Sequence, residues 1–326
     1  MSEADNTENT YKEFFEALER LGLQDLAERI RRNEPMNLHT TMRVGGLADL
    51  FAEPAGPMEA VLLFRAAKES GIPLFVIGNG SNVIVSDDGI EGLTVHIGDA
   101  MSRIWTEADP ENPDGVLIHA FAGALLSKVA VQAARESYAG MEFAAGIPGS
   151  IGGAVYMNAG AYGGQMSDIV YQTVFLTPDG NMGTLAGPDH EFGYRESYFT
   201  RNGGTILSTV LRLVPGDKDV IFQKIKELAA RRTASQPLTL PSAGSVFRRP
   251  AGYFAGTLIE ESGLKGLRSG GAAVSEKHAG FIVNTGGATA RDVYNLTGMV
   301  REEVFKKSGV MLEPEILFMG RGFTTK

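Results

Sequence analysis

An α+β fold is what this sequence predicts, and three observations predict it. A helical-period apolar run sits between short extended runs and is joined to them by tight loops, the arrangement of a mixed α+β or α/β unit. Turn chemistry such as Pro178-Asp179-Gly180 and Pro215-Gly216 punctuates those runs. The length, 326 residues with 43% hydrophobic and 21% charged, is more than one ordinary domain needs and suits two or three.

In chain order, residues 11–32 read as one helix, with Phe14, Leu18, Leu21, Leu26 and Ile30 at helical spacing, ended by Pro35. A helix over Met58–Glu69 follows, then strands at 73–78, at "VIVS" and at 93–97, with the polar loop "NGSN" between the first two. Residues 115–122 alternate as a strand, and Leu125–Arg135 reads as a buried helix. Beyond a glycine-rich stretch come strand-like "TVFLTPDGN" and a strand over 205–214. The last third opens with a helix on which Ile221, Ile225 and Leu228 share a face. A second helix starts at Thr289-x-x-Asp292, a capping-box pattern, shows the face Val293, Leu296, Val300 and Val304, and stops before Gly309. A final strand lies in "EILFMG", 315–320. The chain thus divides at 1–34, 35–98, 99–214 and 215–326, without repeats or low-complexity tracts.

Composition narrows the chemistry. With no cysteine, disulfides, thiolate catalysis and cysteine-held metal clusters are excluded, and no metal site is expected. The acidic, polar N-terminus is not a secretory signal, and no apolar run approaches the ~18 residues of a membrane helix. A cytoplasmic protein is expected. A net charge of −9 without Lys/Arg runs argues against nucleic acid and acidic membranes. Small anions are still open to it, because Arg43, Arg195, Arg248, Arg249, Lys265 and Lys277 stand in or beside glycine-rich signatures.

Those glycines pose the main question. "AAGIPGSIGGAVYMNAGAYGG", 144–164, holds seven of them. Glycine lets main chain approach a ligand closely, and successive exposed N–H groups bind anions without any cationic side chain. "GIPGSIGG" and "IGNGSN" therefore read as phosphate-holding loops, or, more plainly, as two tight turns. No P-loop occurs, and Gly78-Asn79-Gly80 lacks the third glycine of a dinucleotide fingerprint, since Val83 stands there. A diphosphate held by loops distant in sequence points to another class of nucleotide cofactor site.

Six signatures in register, "IGNGSNVIVSDDGIEGLTVHI", "GIPGSIGGAVYMNAGAYG", "FGYRESYF", "PSAGSVF", "GGAAVSEKHAGFIVN" and "LEPEI", resemble the UDP-N-acetylenolpyruvoylglucosamine reductases of bacterial peptidoglycan synthesis. The resemblance runs from about Asn37 to Gly320 and is closest to the shorter subtype without a substrate-capping insertion. It implies a p-cresol-methylhydroxylase-type domain of two lobes (35–98 and 99–214) holding FAD non-covalently. A C-terminal α+β substrate domain (215–326) would follow, its last strand free to return to the first lobe, with 1–34 a helical extension. At the FAD it places Gly78, Asn79, Gly80, Ser81 and Asn82 on one side and Gly146, Ile147, Gly149, Ser150, Gly152 and Gly153 on the other. His39, His96, His119, His190 and His278 are read as ordinary surface or packing residues.

The reaction implied is hydride transfer from NADPH through FAD to UDP-N-acetylglucosamine enolpyruvate, giving UDP-N-acetylmuramate, in a monomer. By similarity Arg195 neutralises the substrate carboxylate, Ser245 gives a proton to C2, and Glu315, useful there only if protonated, completes the catalytic set. Read from the residues alone, Arg195 could instead pair with Glu191 or Glu196, Ser245 could sit in a plain turn, and Glu315 could be structural. Asn158, Tyr162, Arg248 and Lys277 are expected to contact the UDP-sugar. "GSVFRRP" departs from the family's usual asparagine at Arg249. Two rivals remain, another flavin oxidase of this fold and a non-catalytic sugar-nucleotide binder.

Overall fold

The computed structural model describes residues 3–323, which form two compact units. The first gathers the described residues up to Arg31, Phe51–Asn79 and Gly92–Ala230; the second gathers Arg32–Leu50, Gly80–Glu91 and the chain from Arg231 on.

In the first unit, helix Glu3–Arg20 buries Phe14, Ala17 and Leu18. It packs on helix Pro57–Ser70, whose inner face is Ala60, Leu63, Ala66 and Ala67. Proline starts that second helix and Gly71, at φ 69°, ends it, as the pattern over 58–69 predicts. The single helix expected over 11–32 is corrected to two. Gly22, at φ 73°, turns the chain out of helix while Leu23 N–H bonds Leu18 O and Gly22 N–H bonds Glu19 O. Those two bonds are a Schellman stop, and a shorter helix, Gln24–Arg29, follows it. Pro35 ends no helix; it closes the extended run Arg31–Pro35.

Strand Leu74–Ile77 runs parallel to the 93–96 part of strand Ile90–His96. The unit also holds an antiparallel sheet, in the order Met182–Ala186, Val170–Leu176, Thr205–Pro215, Val116–Phe121, Ile104–Ala108. Helix Leu126–Arg135 buries Leu126, Val129, Ala130, Ala133 and Ala134. The glycine-rich stretch is not all loop. Its second half is helix Ile151–Tyr156, which packs on Thr205–Pro215 and Val116–Phe121.

The second unit has an antiparallel sheet ordered Ser242–Ser245, Phe281–Asn284, Ala272–Val274, Arg268–Ser269. Helix Ala290–Ser308 begins at a Thr289/Asp292 capping box and ends at Gly309, φ 71°. Val293, Leu296, Val300 and Val304 are buried in one core with Ile259, Val274, Ile282 and Leu312. The last strand, Leu317–Met319, lies parallel to Val83–Val85, a segment of the first expected lobe.

Candidate active site

In the first unit, strand Leu74–Ile77 delivers Gly78 and Asn79 to the second glycine stretch. The Asn79 Nδ2 donates to the Pro148 carbonyl at 2.6 Å. Ser150 is buried and caps helix Ile151–Tyr156, its Oγ accepting the Gly153 N–H at 3.4 Å. A Cβ on Gly78 would stand 2.5 Å from that Oγ, and one on Gly152 would stand 2.9 Å from Ala122 Cβ. Above Gly153 the space is open, with only Ser150 Oγ within 4 Å of an added Cβ. Gly146 is exposed, and Ile147 and Gly149 are half-buried in the turn before the cap. Two loops distant in sequence therefore meet where Asn79 bonds the Pro148 carbonyl and bare Gly78 faces Ser150, with open space above Gly153. Such a cradle fits the diphosphate of a dinucleotide.

Beyond the helix, Gly160–Ala161 and Gly164–Gln165 pair as a hairpin whose two-residue loop is Tyr162-Gly163, at φ 55° and 93°. Both values are positive, as a type I′ turn requires, and Tyr162 stands exposed at the tip. Asn158, only 2% exposed, also has positive φ, 41°. Its Nδ2 donates to the Gly193 carbonyl at 2.9 Å, and its Oδ1 accepts the Ser167 N–H at 2.9 Å.

Gly193 opens the tight turn that carries Arg195, closed by Gly193 N–H to Glu196 O at 3.0 Å and Glu196 N–H to Gly193 O at 3.4 Å. Arg195 occupies the third place at φ 57°, where glycine or asparagine is ordinary. Its Nη2 donates to Gly160 O at 3.1 Å, and its guanidinium lies 5.2 Å from the Tyr194 ring centre. Glu191 and Glu196, the alternative partners, each pair with Arg201, at 2.9 and 3.4 Å. Strain of about 1–3 kcal/mol held at one arginine is characteristic of functional positions.

Sequence reasoning read every histidine as ordinary, and His190 is indeed fully buried. Its ring bonds Gly187 O and Thr173 Oγ1, stacks on Phe192, and is pushed below the usual histidine range by burial.

In the second unit, Gly80 holds φ 60°, and an added Cβ would collide with the His39 carbonyl. Thr41 ties this loop to a strand: its N–H bonds Gly80 O at 3.0 Å and its Oγ1 bonds Ser242 O at 2.7 Å, on the strand that ends in Ser245. Asn82 Nδ2 donates to the Glu315 carbonyl at 3.2 Å, and Ser81 and Asn82 are half-buried. Val246 then serves both catalytic candidates. It follows Ser245 directly, and its carbonyl accepts the Glu315 N–H at 2.7 Å while its own N–H bonds Gly280 O at 2.9 Å. Nothing in the spacing announces this link; it joins segments nearly seventy residues apart.

Arg248 is half-buried, its N–H on Glu313 O. Arg249, where the family pattern departs, lies 3.9 Å over the Phe254 ring and bonds Tyr253 O. Lys277 is exposed and reaches Thr233 O at 2.5 Å.

Residues 48–186 match a family described as FAD binding domain, and residues 236–319 match the UDP-N-acetylenolpyruvoylglucosamine reductase C-terminal domain. The chain is 48% identical to the UDP-N-acetylenolpyruvoylglucosamine reductase of Agathobacter rectalis over 89% of its own length and 93% of that protein. It belongs to that family. The Latilactobacillus sakei reductase is 46% identical over 90% of this chain and 94% of its own. The crystal structure of the Thermus caldophilus reductase superposes with a TM-score of 0.73, at 34% identity, covering 89% of this chain and 97% of that one. The reductase is therefore an FAD-dependent oxidoreductase of peptidoglycan synthesis, reducing UDP-N-acetylglucosamine enolpyruvate to UDP-N-acetylmuramate. Its α+β fold accords with that structure. The main-chain cradle formed by Gly78, Gly152 and Gly153 suits the cofactor. Among the described residues no helix is long and apolar enough to cross a membrane.

Proposed function

We propose that the reductase holds FAD non-covalently, takes its hydride from NADPH, and works as a cytoplasmic monomer. The division into FAD lobes 35–98 and 99–214, a substrate domain 215–326 and an extension 1–34 belongs to the same reading. FAD, when bound, supplies the hydride that reaches C3 of the enolpyruvyl group.

The chain's own residues handle the charge that follows. Arg195 grips the substrate carboxylate with its planar fork as negative charge spreads onto those oxygens. Ser245 gives its proton to C2. Glu315, carrying a proton, donates a hydrogen bond to the same carboxylate, and Tyr162, Arg248 and Lys277 bind the UDP-sugar. Asn158 is read here as the anchor of the arginine turn, because both ends of its amide are engaged with the protein. Gly78–Asn82 and Gly146–Gly153 line the dinucleotide.

The observation that carries the reading is the strained Arg195 turn, at φ 57°, with the guanidinium held by a bond from its Nη2 to the Gly160 carbonyl. Anaerobic stopped flow on Arg195→Lys tests it. Flavin reduction by NADPH should keep its rate, while reoxidation by substrate should slow by about 10²–10³, the usual cost of one such donor. Equal losses in both halves would make Arg195 structural.

A further inference from the structure

One histidine in the second unit has a place that packing alone does not explain. His278 accepts the Gly280 N–H on its Nδ1 at 3.1 Å, which assigns the ring proton to Nε2. A Cβ on Gly280 would stand 3.0 Å from His278 Cε1 and 3.4 Å from Ser245 Oγ, so ring and hydroxyl flank the same bare Cα. The same edge of the ring is crowded by Gly256, where an added Cβ would stand 3.2 Å from Cε1, and the ring meets Phe281 edge to face at 5.0 Å. Phe281 is the register partner of Ser245. The Gly280 carbonyl accepts the Val246 N–H, and the Val246 carbonyl accepts that of Glu315. A single run of hydrogen bonds thus leads from the imidazole to the backbone beside Ser245 and on to Glu315.

We propose that His278 is the positioning residue for Ser245: its unprotonated Nδ1 holds Gly280, and Gly280 sets the place of the serine hydroxyl. The proposal rests on the reading of Ser245 as proton donor. Burial pushes the imidazole below the usual histidine range, with Lys265 lowering it further and Glu260 raising it. Those two charges pair with each other at 2.5 Å, so they largely offset one another. Ser275 Oγ accepts the N–H groups of Lys277 and His278; of the two exposed charged residues beside it, Lys277 donates from its Nζ to Thr233 O and Glu276 sets its carboxylate against Gly266. Protonation of Nδ1 would remove the acceptor for Gly280 and release Ser245. Proton donation to C2 should then fail in acid, while hydride uptake from NADPH should not.

The test compares His278→Asn, whose Oδ1 can take the place of Nδ1, with His278→Gln, whose oxygen reaches too far, and with Ser245→Ala. Each holoenzyme is followed by stopped flow in both half-reactions from pH 5 to 8. In the parent, reoxidation by substrate should fall in acid along one ionisation whose midpoint equals that of His278 followed by imidazole NMR, below the ordinary ~6.5. His278→Gln should slow reoxidation by about 10- to 100-fold, the scale of a misplacement near 1 Å, with flavin reduction intact. His278→Asn should recover most of that loss and show no acid limb. If His278→Gln matches the parent while Ser245→Ala stalls, the positioning role is overturned and the proton-donor reading stands. If Ser245→Ala itself turns over at the parent rate, the proton-donor reading falls first. An NMR midpoint that does not coincide with the acid limb would also overturn the proposal.

Discussion

Asn158 joins three segments through one buried amide: the glycine-rich helix it follows, the Ser167 backbone, and the carbonyl that opens the Arg195 turn. A buried acceptor left alone costs about 1–3 kcal/mol, and here two partners would lose their bonds at once. Asn158→Ala should therefore lower stability by that order and loosen the arginine turn, slowing substrate-driven reoxidation more than flavin reduction. Half-reaction rates together with a denaturant midpoint check it; a stable variant with both rates intact would make the anchor idle. The sequence signalled this residue as a substrate contact, because an asparagine inside a signature looks functional. What it could not signal was direction, since the Gly193 carbonyl is thirty-five residues away.

Elements show where local rules suffice and where they do not. Helix Ala290–Ser308 was legible end to end, because its cap, its buried face and its glycine stop are all short-range chemistry. The break at Gly22 is equally local, yet the apolar spacing of Leu21, Leu26 and Ile30 masks it: the periodicity continues across a turn that interrupts the helix. The two glycine loops were legible as loops, but their meeting was not, since Gly78 and Ser150 are brought together only by the fold. That meeting makes a prediction. Gly78→Ala pushes Ser150 Oγ off the Gly153 N–H, removing a cap worth about 1 kcal/mol and filling the cradle. FAD retention should fall by about tenfold, in proportion to a loss near 1.4 kcal/mol. The double variant Gly78→Ala/Ser150→Ala relieves the clash, leaving 3.7 Å between the two Cβ positions, and should regain part of the affinity. A double variant no better than the single one would show that the cradle itself, not the serine, is at fault.

For the molecule as a whole, two histidines are harder to charge in the folded state than in the unfolded one. His190 and His278 are both held below the ordinary histidine value by burial. Between each lowered native value and ~6.5 the unfolded chain binds more protons than the folded one. Stability should therefore rise with pH across that interval and level off above it. Denaturant midpoints between pH 5 and 8 measure the slope. His190→Gln removes one of the two contributions, so its slope should be shallower; an unchanged slope would place the effect elsewhere.

The pairing of Leu317–Met319 with Val83–Val85 bears on how the protein comes into being. Asn82 and Glu315, bonded beside that pairing, are separated by 233 residues. Contacts so distant along the chain form slowly, because loop closure must precede any reward. Synthesis runs from the N-terminus, so Val83–Val85 leaves the ribosome long before its partner exists and must wait with an unpaired edge. The Ser245 and Glu315 segments, joined through Val246, cannot meet until Glu315 has been made. A nascent or truncated chain that stops short of Glu315 is thus without this link, and its waiting strand is a place where an unfinished molecule is exposed to aggregation.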